Sequence, residues 1–199
     1  MTTANKITIA RIFLIPVFVG LAIYYARSVK EGQPVEGWRW GAIAVFLVAS
    51  LSDGLDGFIA RKFNQRSRLG VILDPLADKG LLLAALITLT HSGWPNHFPL
   101  WFPILVIGRD VMLIAGALVL KHVVGDVRIQ PHWTGKVATF LQMVSLSWVM
   151  LGLSLGPDNF FKDIVIFLAG AFTFVSGCVY FYDGIHQFHA SGHGEADAS

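Results

Sequence analysis

Asp53, Asp56, Asp74 and Asp78 are four carboxylates set in an otherwise mostly apolar stretch. Acids in such a setting are expensive, and each is a functional candidate by default. Asp53, Asp56, Gly57 and Ala60 follow i, i+3, i+4, i+7 spacing, so on a helix they share one face. Gly70, Asp74 and Asp78 follow i, i+4, i+8 and form a stripe on the next helix. A short link near Asn64–Arg68 makes the two helices antiparallel neighbours whose stripes face one another. Four converging carboxylates in a low dielectric repel strongly and stay ionised only when cations neutralise them. All-oxygen donors select hard ions such as Mg²⁺, Mn²⁺ or Ca²⁺, and neither His nor Cys lies near these acids to favour zinc. Four carboxylates suit two ions about 3.5–4 Å apart, an arrangement used for in-line displacement at phosphorus.

Each acid also has a plainer explanation. Asp74 precedes Pro75 and can cap a helix with proline at its first position, and Asp53 can cap the end of a span. Helix capping does not explain why all four acids fall on two facing stripes. Gly57, Ala60 and Gly70 either allow close helix packing or leave room for a flat base and a diphosphate. Arg61, one turn beyond Gly57, either meets lipid phosphates at the membrane edge or grips a diphosphate through its planar donor fork.

The elements that carry these residues are membrane spans. Of 199 residues, 54% are hydrophobic and only 14% charged, against roughly 25% charged in soluble domains. The mean hydropathy is +0.61, and the net charge of +2 is too small for a nucleic-acid binder. A membrane helix takes about 20 mostly apolar residues. Six segments qualify: Ile7–Ala26, Trp38–Ala60, Leu69–Thr90, Phe98–Leu120, Val137–Leu155 and Phe161–Ile185. The expected fold is therefore all-α, a polytopic membrane protein with six transmembrane helices. Lys6 and Arg11 before the first apolar run also fit a signal peptide, but no A-x-A-like cleavage site follows it. Short loops make residues 1–190 one domain, and the small polar residues 191–199 a disordered tail. The lone Cys178 reads as a small buried hydrophobe that forms no internal disulfide.

The side expected to be cytoplasmic carries nine cations, Lys6, Arg11, Arg61, Lys62, Arg66, Arg68, Lys121, Arg128 and Lys136. The opposite side carries four, Arg27, Lys30, Arg39 and Lys162. An even number of spans then places both termini, and the aspartate stripes, at the cytoplasmic surface of the cell membrane. Trp38, Trp40, Trp94, Trp101 and Trp133 lie near span ends, where indole rings favour the interface.

Residues 53–78 read D-G-L-D-G-F-I-A-R-K-F-N-Q-R-S-R-L-G-V-I-L-D-P-L-A-D. This resembles the signature of the CDP-alcohol phosphatidyltransferase family, D-x-x-D-G-x-x-A-R-x8-G-x3-D-x3-D. The fixed positions all match: Asp53, Asp56, Gly57, Ala60, Arg61, Gly70, Asp74 and Asp78. At roughly 1 in 20 per position, chance gives such a window about 10⁻¹⁰ of the time. The resemblance implies a six-helix membrane fold and metal-dependent transfer of a phosphatidyl group from CDP-diacylglycerol to an alcohol, with release of CMP. It implies that Asp53, Asp56 and Asp74 are ligands for Mg²⁺ or Mn²⁺, with Asp78 both ligand and general base. Gly57, Ala60 and Arg61, with Gly70, would hold the CDP-lipid. A homodimer is a further implication.

The acceptor is less legible. Asn5-Lys6-Ile7-Thr8-x-x-Arg11 with Pro16 resembles the start of the family branch whose acceptor is glycerol 3-phosphate. Arg109 in the fourth span and Lys136, after Gly135 before the fifth, are expected to clamp an anionic acceptor's phosphate. Pairing of Arg109 with Asp110, and interfacial anchoring by Lys136, are the plainer explanations. Glycerol 3-phosphate enzymes of the family typically carry Arg-Glu and a second arginine eight positions on. This chain has Arg109-Asp110 and Ala117 instead. The run around Arg109 resembles the branch that uses phosphatidylglycerol to make cardiolipin. Glycerol 3-phosphate is the first expectation and phosphatidylglycerol the alternative. A non-enzymatic divalent-cation transporter would also place acids in the membrane, but it has no need of Gly57, Ala60 and Arg61 at these spacings.

Overall fold

A computed structural model describes residues 3–62, 68–123, 133–153 and 160–196. Side chains are described within them except at 3–6, 53–62, 68–76, 78, 120, 121, 123 and 186–196. Among the described residues all regular structure is helical: α1 (Thr3–Lys30), α2 (Glu36–Lys62), α3 (Arg68–His91), α4 (Trp101–Val123), α5 (Trp133–Leu151) and α6 (Phe160–Ala196). Each expected span falls on one of these helices. By length and composition three of them can cross a membrane among the described residues, over Ile7–Lys30, Trp101–Val119 and Phe160–Ile185. Among the described residues α3 adds a shorter apolar stretch, Lys79–His91. Lys136, Gln142 and Ser145 place polar side chains within α5.

Lipid as solvent explains the surface. Phe13, Ile104, Phe140, Phe167 and Phe174 are all exposed large apolar side chains, each more than 60% accessible. The chain is a helical membrane protein.

The chain forms two compact units. The first comprises Met1–Pro99 and Leu146–Leu153, and the second Leu100–Ser145 and Ser154–Ser199. In the first, α1 packs on both α2 and α3. Phe18 meets Phe46 at 5.8 Å between ring centroids, and Tyr24 stacks on Trp38 at 5.5 Å, so α1 and α2 run antiparallel. A Cβ on Gly80 would lie 3.2 Å from Ile15, which fixes α3 beside the middle of α1. Pro16 sits inside α1 and removes one backbone hydrogen bond, which a membrane helix tolerates when neighbours pack around it.

Trp94 departs from the interfacial role expected of it. It is 2% exposed, donates its indole N–H to the Val149 carbonyl at 3.3 Å, and lies 4.6 Å from the Tyr25 ring. A buried indole needs such a partner, and the end of α5 supplies one. Arg39 likewise does more than set topology. It donates to the carbonyls of Met150 (3.1 Å) and Leu151, the last of α5. These carbonyls have no partner within the helix, and a cation there also opposes the helix dipole. Gly152 follows with φ +60°, a conformation that closes a helix and favours glycine. α5 therefore ends at Leu151, earlier than the expected Leu155.

In the second unit α4 and α6 run parallel. A Cβ on Gly170 would lie 2.6 Å from the Trp101 ring, and one on Gly177 would lie 3.5 Å from Arg109 Cγ, so glycines let these helices approach closely. α5 joins α6 through a buried hydrogen bond from Gln142 Nε2 to Thr173 Oγ1 at 2.8 Å. Ile166, Ala169, Gly170, Thr173, Ser176 and Gly177 form the buried stripe of α6. Cys178 lies off that stripe and is exposed, contrary to the expectation that it is buried. α6 continues to Ala196, through most of the segment expected as a disordered tail. Extending an existing helix needs no new nucleus, which is why polar residues can continue it.

Candidate active site

The motif is divided between two helices of the first unit. Asp53, Asp56, Gly57, Ala60 and Arg61 lie within α2, and Gly70, Asp74 and Asp78 within α3. Their side chains lie outside the described residues. α2 and α3 pack against one another as well as against α1. The helical spacing on which the two acid stripes depend is thus that of helices in one compact unit. Ala77, between Asp74 and Asp78 in sequence, is 1% exposed. Among the described residues no group of three His, Cys, Asp or Glu side chains is gathered.

α1 supplies two polar residues that sequence reasoning left without a role at the site. Thr8 is fully buried and Arg11 is 1% exposed. They are one turn apart, so they share the buried face of α1. Seven residues before Phe18 on α1 is Arg11, and seven residues beyond its partner Phe46 on α2 is position 53. The antiparallel register thus carries Arg11 toward the level of the motif. The sequence placed Arg11 among the cytoplasmic cations and in the Thr8-x-x-Arg11 resemblance, without a role at the site. A cation that merely marks the cytoplasmic side stays wet, whereas a guanidinium this deeply buried needs partners, and Arg11 has them. The signal available in the sequence was Thr8-x-x-Arg11, an i, i+3 polar pair on an apolar helix.

The second unit positions the residues expected to bind the acceptor. Arg109 projects from α4 with a side chain only 9% exposed. Its Nη1 donates to Asp110 Oδ1 at 2.9 Å, and its Nη2 to Ser176 Oγ of α6 at 2.8 Å. Its guanidinium carbon lies 5.6 Å from the centre of the Tyr180 ring, within cation–π range. A Cβ on Gly135 of α5 would come within 3.0 Å of Arg109 Nη2 and 3.3 Å of the Tyr180 hydroxyl. The pairing with Asp110 considered above is therefore present, but it occupies one edge of the guanidinium. Arg109 Nε and the Thr134 hydroxyl are buried without a hydrogen-bond partner. Lys136, in the first turn of α5, is exposed, and its geometry fits either acceptor contact or interfacial anchoring.

A buried arginine on a membrane helix is a functional candidate by default. Residues 1–175 match the family model of CDP-alcohol phosphatidyltransferase, and the chain belongs to that family. It is 35% identical over 182 residues to a CDP-diacylglycerol–glycerol-3-phosphate 3-phosphatidyltransferase of Bacillus subtilis, spanning 89% of this chain and 92% of that protein. It is 33% identical over 178 residues to a probable phosphatidylglycerophosphate synthase of Mycobacterium tuberculosis, spanning 89% of this chain and 78% of that one. A CDP-diacylglycerol–glycerol-3-phosphate 3-phosphatidyltransferase of Escherichia coli K12 is 33% identical over 148 residues, spanning 72% of this chain and 74% of its own length.

Proposed function

We propose that the chain transfers a phosphatidyl group from CDP-diacylglycerol to glycerol 3-phosphate, forming phosphatidylglycerophosphate and CMP. The observation that carries this reading is the complete motif on α2 and α3, in a chain that aligns over most of its length with relatives named for that reaction. The donor set fits a metal centre: four carboxylates on neighbouring helices, all oxygen, matching the preference of Mg²⁺ or Mn²⁺. Asp53, Asp56, Asp74 and Asp78 would hold two such ions. When bound, they offset the carboxylate repulsion and stabilise the charge that develops on the diphosphate and the leaving CMP.

The chain's own residues do the rest. Gly57, Ala60 and Gly70 leave room for the cytidine and diphosphate, and Arg61 grips the diphosphate through its donor fork. Asp78 takes the proton from the acceptor's hydroxyl. That oxygen attacks the phosphorus bearing diacylglycerol, and the bond from this phosphorus to the CMP oxygen breaks. Arg109 and Lys136 hold the acceptor's own phosphate. The site and both termini face the cytoplasm, where nucleotide and glycerol 3-phosphate are dissolved. The enzyme acts as a homodimer in the lipid bilayer.

One observation favours a second acceptor. Asp110 in place of glutamate, and Ala117 in place of arginine, leave this chain with fewer cations for a small dianion. Phosphatidylglycerol, held largely by its acyl chains, would need fewer. A competition assay separates the two. Purified protein receives CDP-diacylglycerol with both acceptors at equal concentration, and the lipid products are resolved by chromatography. Phosphatidylglycerophosphate as the dominant product is expected. Cardiolipin as the dominant product would assign the chain to phosphatidylglycerol.

A further inference from the structure

Arg109 is held on three sides by groups that the reaction itself does not require. Asp110 takes Nη1 at 2.9 Å, Ser176 takes Nη2 at 2.8 Å, and the Tyr180 ring lies 5.6 Å from Cζ. Ser176 is fully buried, and the Arg109 side chain is more than nine-tenths buried. A guanidinium that served only as the counter-charge of Asp110 would need neither the hydroxyl nor the ring. What this cage leaves open is Nε, buried and unpartnered, with the unpartnered Thr134 hydroxyl in the same unit. Thr134 and Gly135 belong to the first turn of α5, where backbone N–H groups have no partner within the helix and the dipole favours an anion. Gly135 comes so close to Arg109 Nη2 that a Cβ would sit 3.0 Å from it. The first turn of α5 and the guanidinium of Arg109 are therefore immediate neighbours in the second unit.

We propose that α6 is part of the acceptor-binding machinery, with Ser176 and Tyr180 as positioning residues that turn the Nε edge of Arg109 toward the α5 terminus, where it receives an oxyanion of the acceptor's phosphate beside the Thr134 hydroxyl. This rests on the reading that Arg109 binds the acceptor. A long arginine side chain has many rotamers, and a polar partner on α6 removes most of them before the ligand arrives. The Tyr180 ring, which lies against both the guanidinium and Gly135 of α5, further limits where the side chain can turn.

The test is a steady-state comparison of Ser176→Ala, Ser176→Thr, Tyr180→Leu, Tyr180→Phe and Arg109→Lys in the purified full-length protein. The apparent KM values for glycerol 3-phosphate and for CDP-diacylglycerol are measured separately. Ser176→Ala and Tyr180→Leu are each expected to raise the glycerol 3-phosphate KM by about three- to tenfold, the effect of loosening one hydrogen bond or ring contact. Donor KM is expected to stay unchanged and kcat to stay within about twofold. Ser176→Thr and Tyr180→Phe, which keep the hydroxyl and the ring, should retain the wild-type KM. If Ser176→Ala and Tyr180→Leu leave the acceptor KM unchanged while Arg109→Lys raises it, the role of α6 is wrong and the acceptor role of Arg109 stands. If Arg109→Lys itself leaves the acceptor KM unchanged, the acceptor reading fails. Should Tyr180→Leu not fold, the Ser176→Ala and Ser176→Thr pair decides alone.

Discussion

In the proposed mechanism a single carboxylate separates binding from chemistry. Asp78 ends the second acid stripe, and its assigned task is to take the acceptor's proton. Asp78→Asn keeps the size and the hydrogen-bonding capacity but removes the base. It is expected to lower kcat by about 10² or more while CDP-diacylglycerol still binds. Turnover and donor binding measured on the same preparation check this, and near-wild-type turnover would reassign the base. A second contrast concerns two arginines of α1. Arg27 pairs with Glu31 at 2.8 Å, but the two side chains are 74% and 60% exposed, and such pairs contribute little. Arg11 is 1% exposed. Arg11→Ala is expected to cost about 3 kcal/mol of stability, because it removes a large, fully buried and partnered side chain, whereas Arg27→Ala stays within about 0.5 kcal/mol. Thermal unfolding of both variants in one detergent measures the difference. Equal midpoints would mean that Arg11 is hydrated in the membrane.

At the scale of elements, the helices were legible because hydrophobic length is a strong signal, and the motif because its spacing repeats the helical period. The face each helix buries was less legible. Cys178 and Trp94 exchanged roles relative to expectation: the thiol is exposed and the indole buried. Neither residue type decides this by itself. The buried stripe of α6 passes beside position 178, and the carbonyl of Val149 that receives the Trp94 N–H lies far away in sequence. The Arg109 cage was half legible. Asp110 is adjacent in sequence, but Ser176 and Tyr180 come from α6, and no periodicity links them to α4. Arg39 is the clearest long-range device, since it caps α5 from α2. Arg39→Ala is expected to fray the last turn of α5 and cost about 1–2 kcal/mol, read as a lower thermal midpoint with acceptor KM unchanged. An unchanged midpoint would show that solvent satisfies those carbonyls equally well.

For the whole molecule, charge asymmetry is the basis of the proposed orientation. Nine cations on one set of loops against four on the other predict both termini in the cytoplasm. A fluorescent protein fused after Ser199 should therefore fluoresce in cells, and an alkaline phosphatase fused there should be inactive. The reverse pattern would invert the topology and place the motif on the far side of the membrane. Within the first unit, antiparallel α1 and α2 with α3 beside them follow the alternation that such a topology requires.

The account stands most directly on one assay. Purified protein in detergent is given CDP-diacylglycerol and labelled glycerol 3-phosphate, and label entering the lipid phase is counted against CMP released. The expected result is one CMP per labelled lipid, abolished by exhaustive EDTA and restored by Mg²⁺ or Mn²⁺, because the proposed site of four carboxylates needs cations to neutralise it. Full transfer after chelation, or CMP release with no label in the lipid, would contradict it.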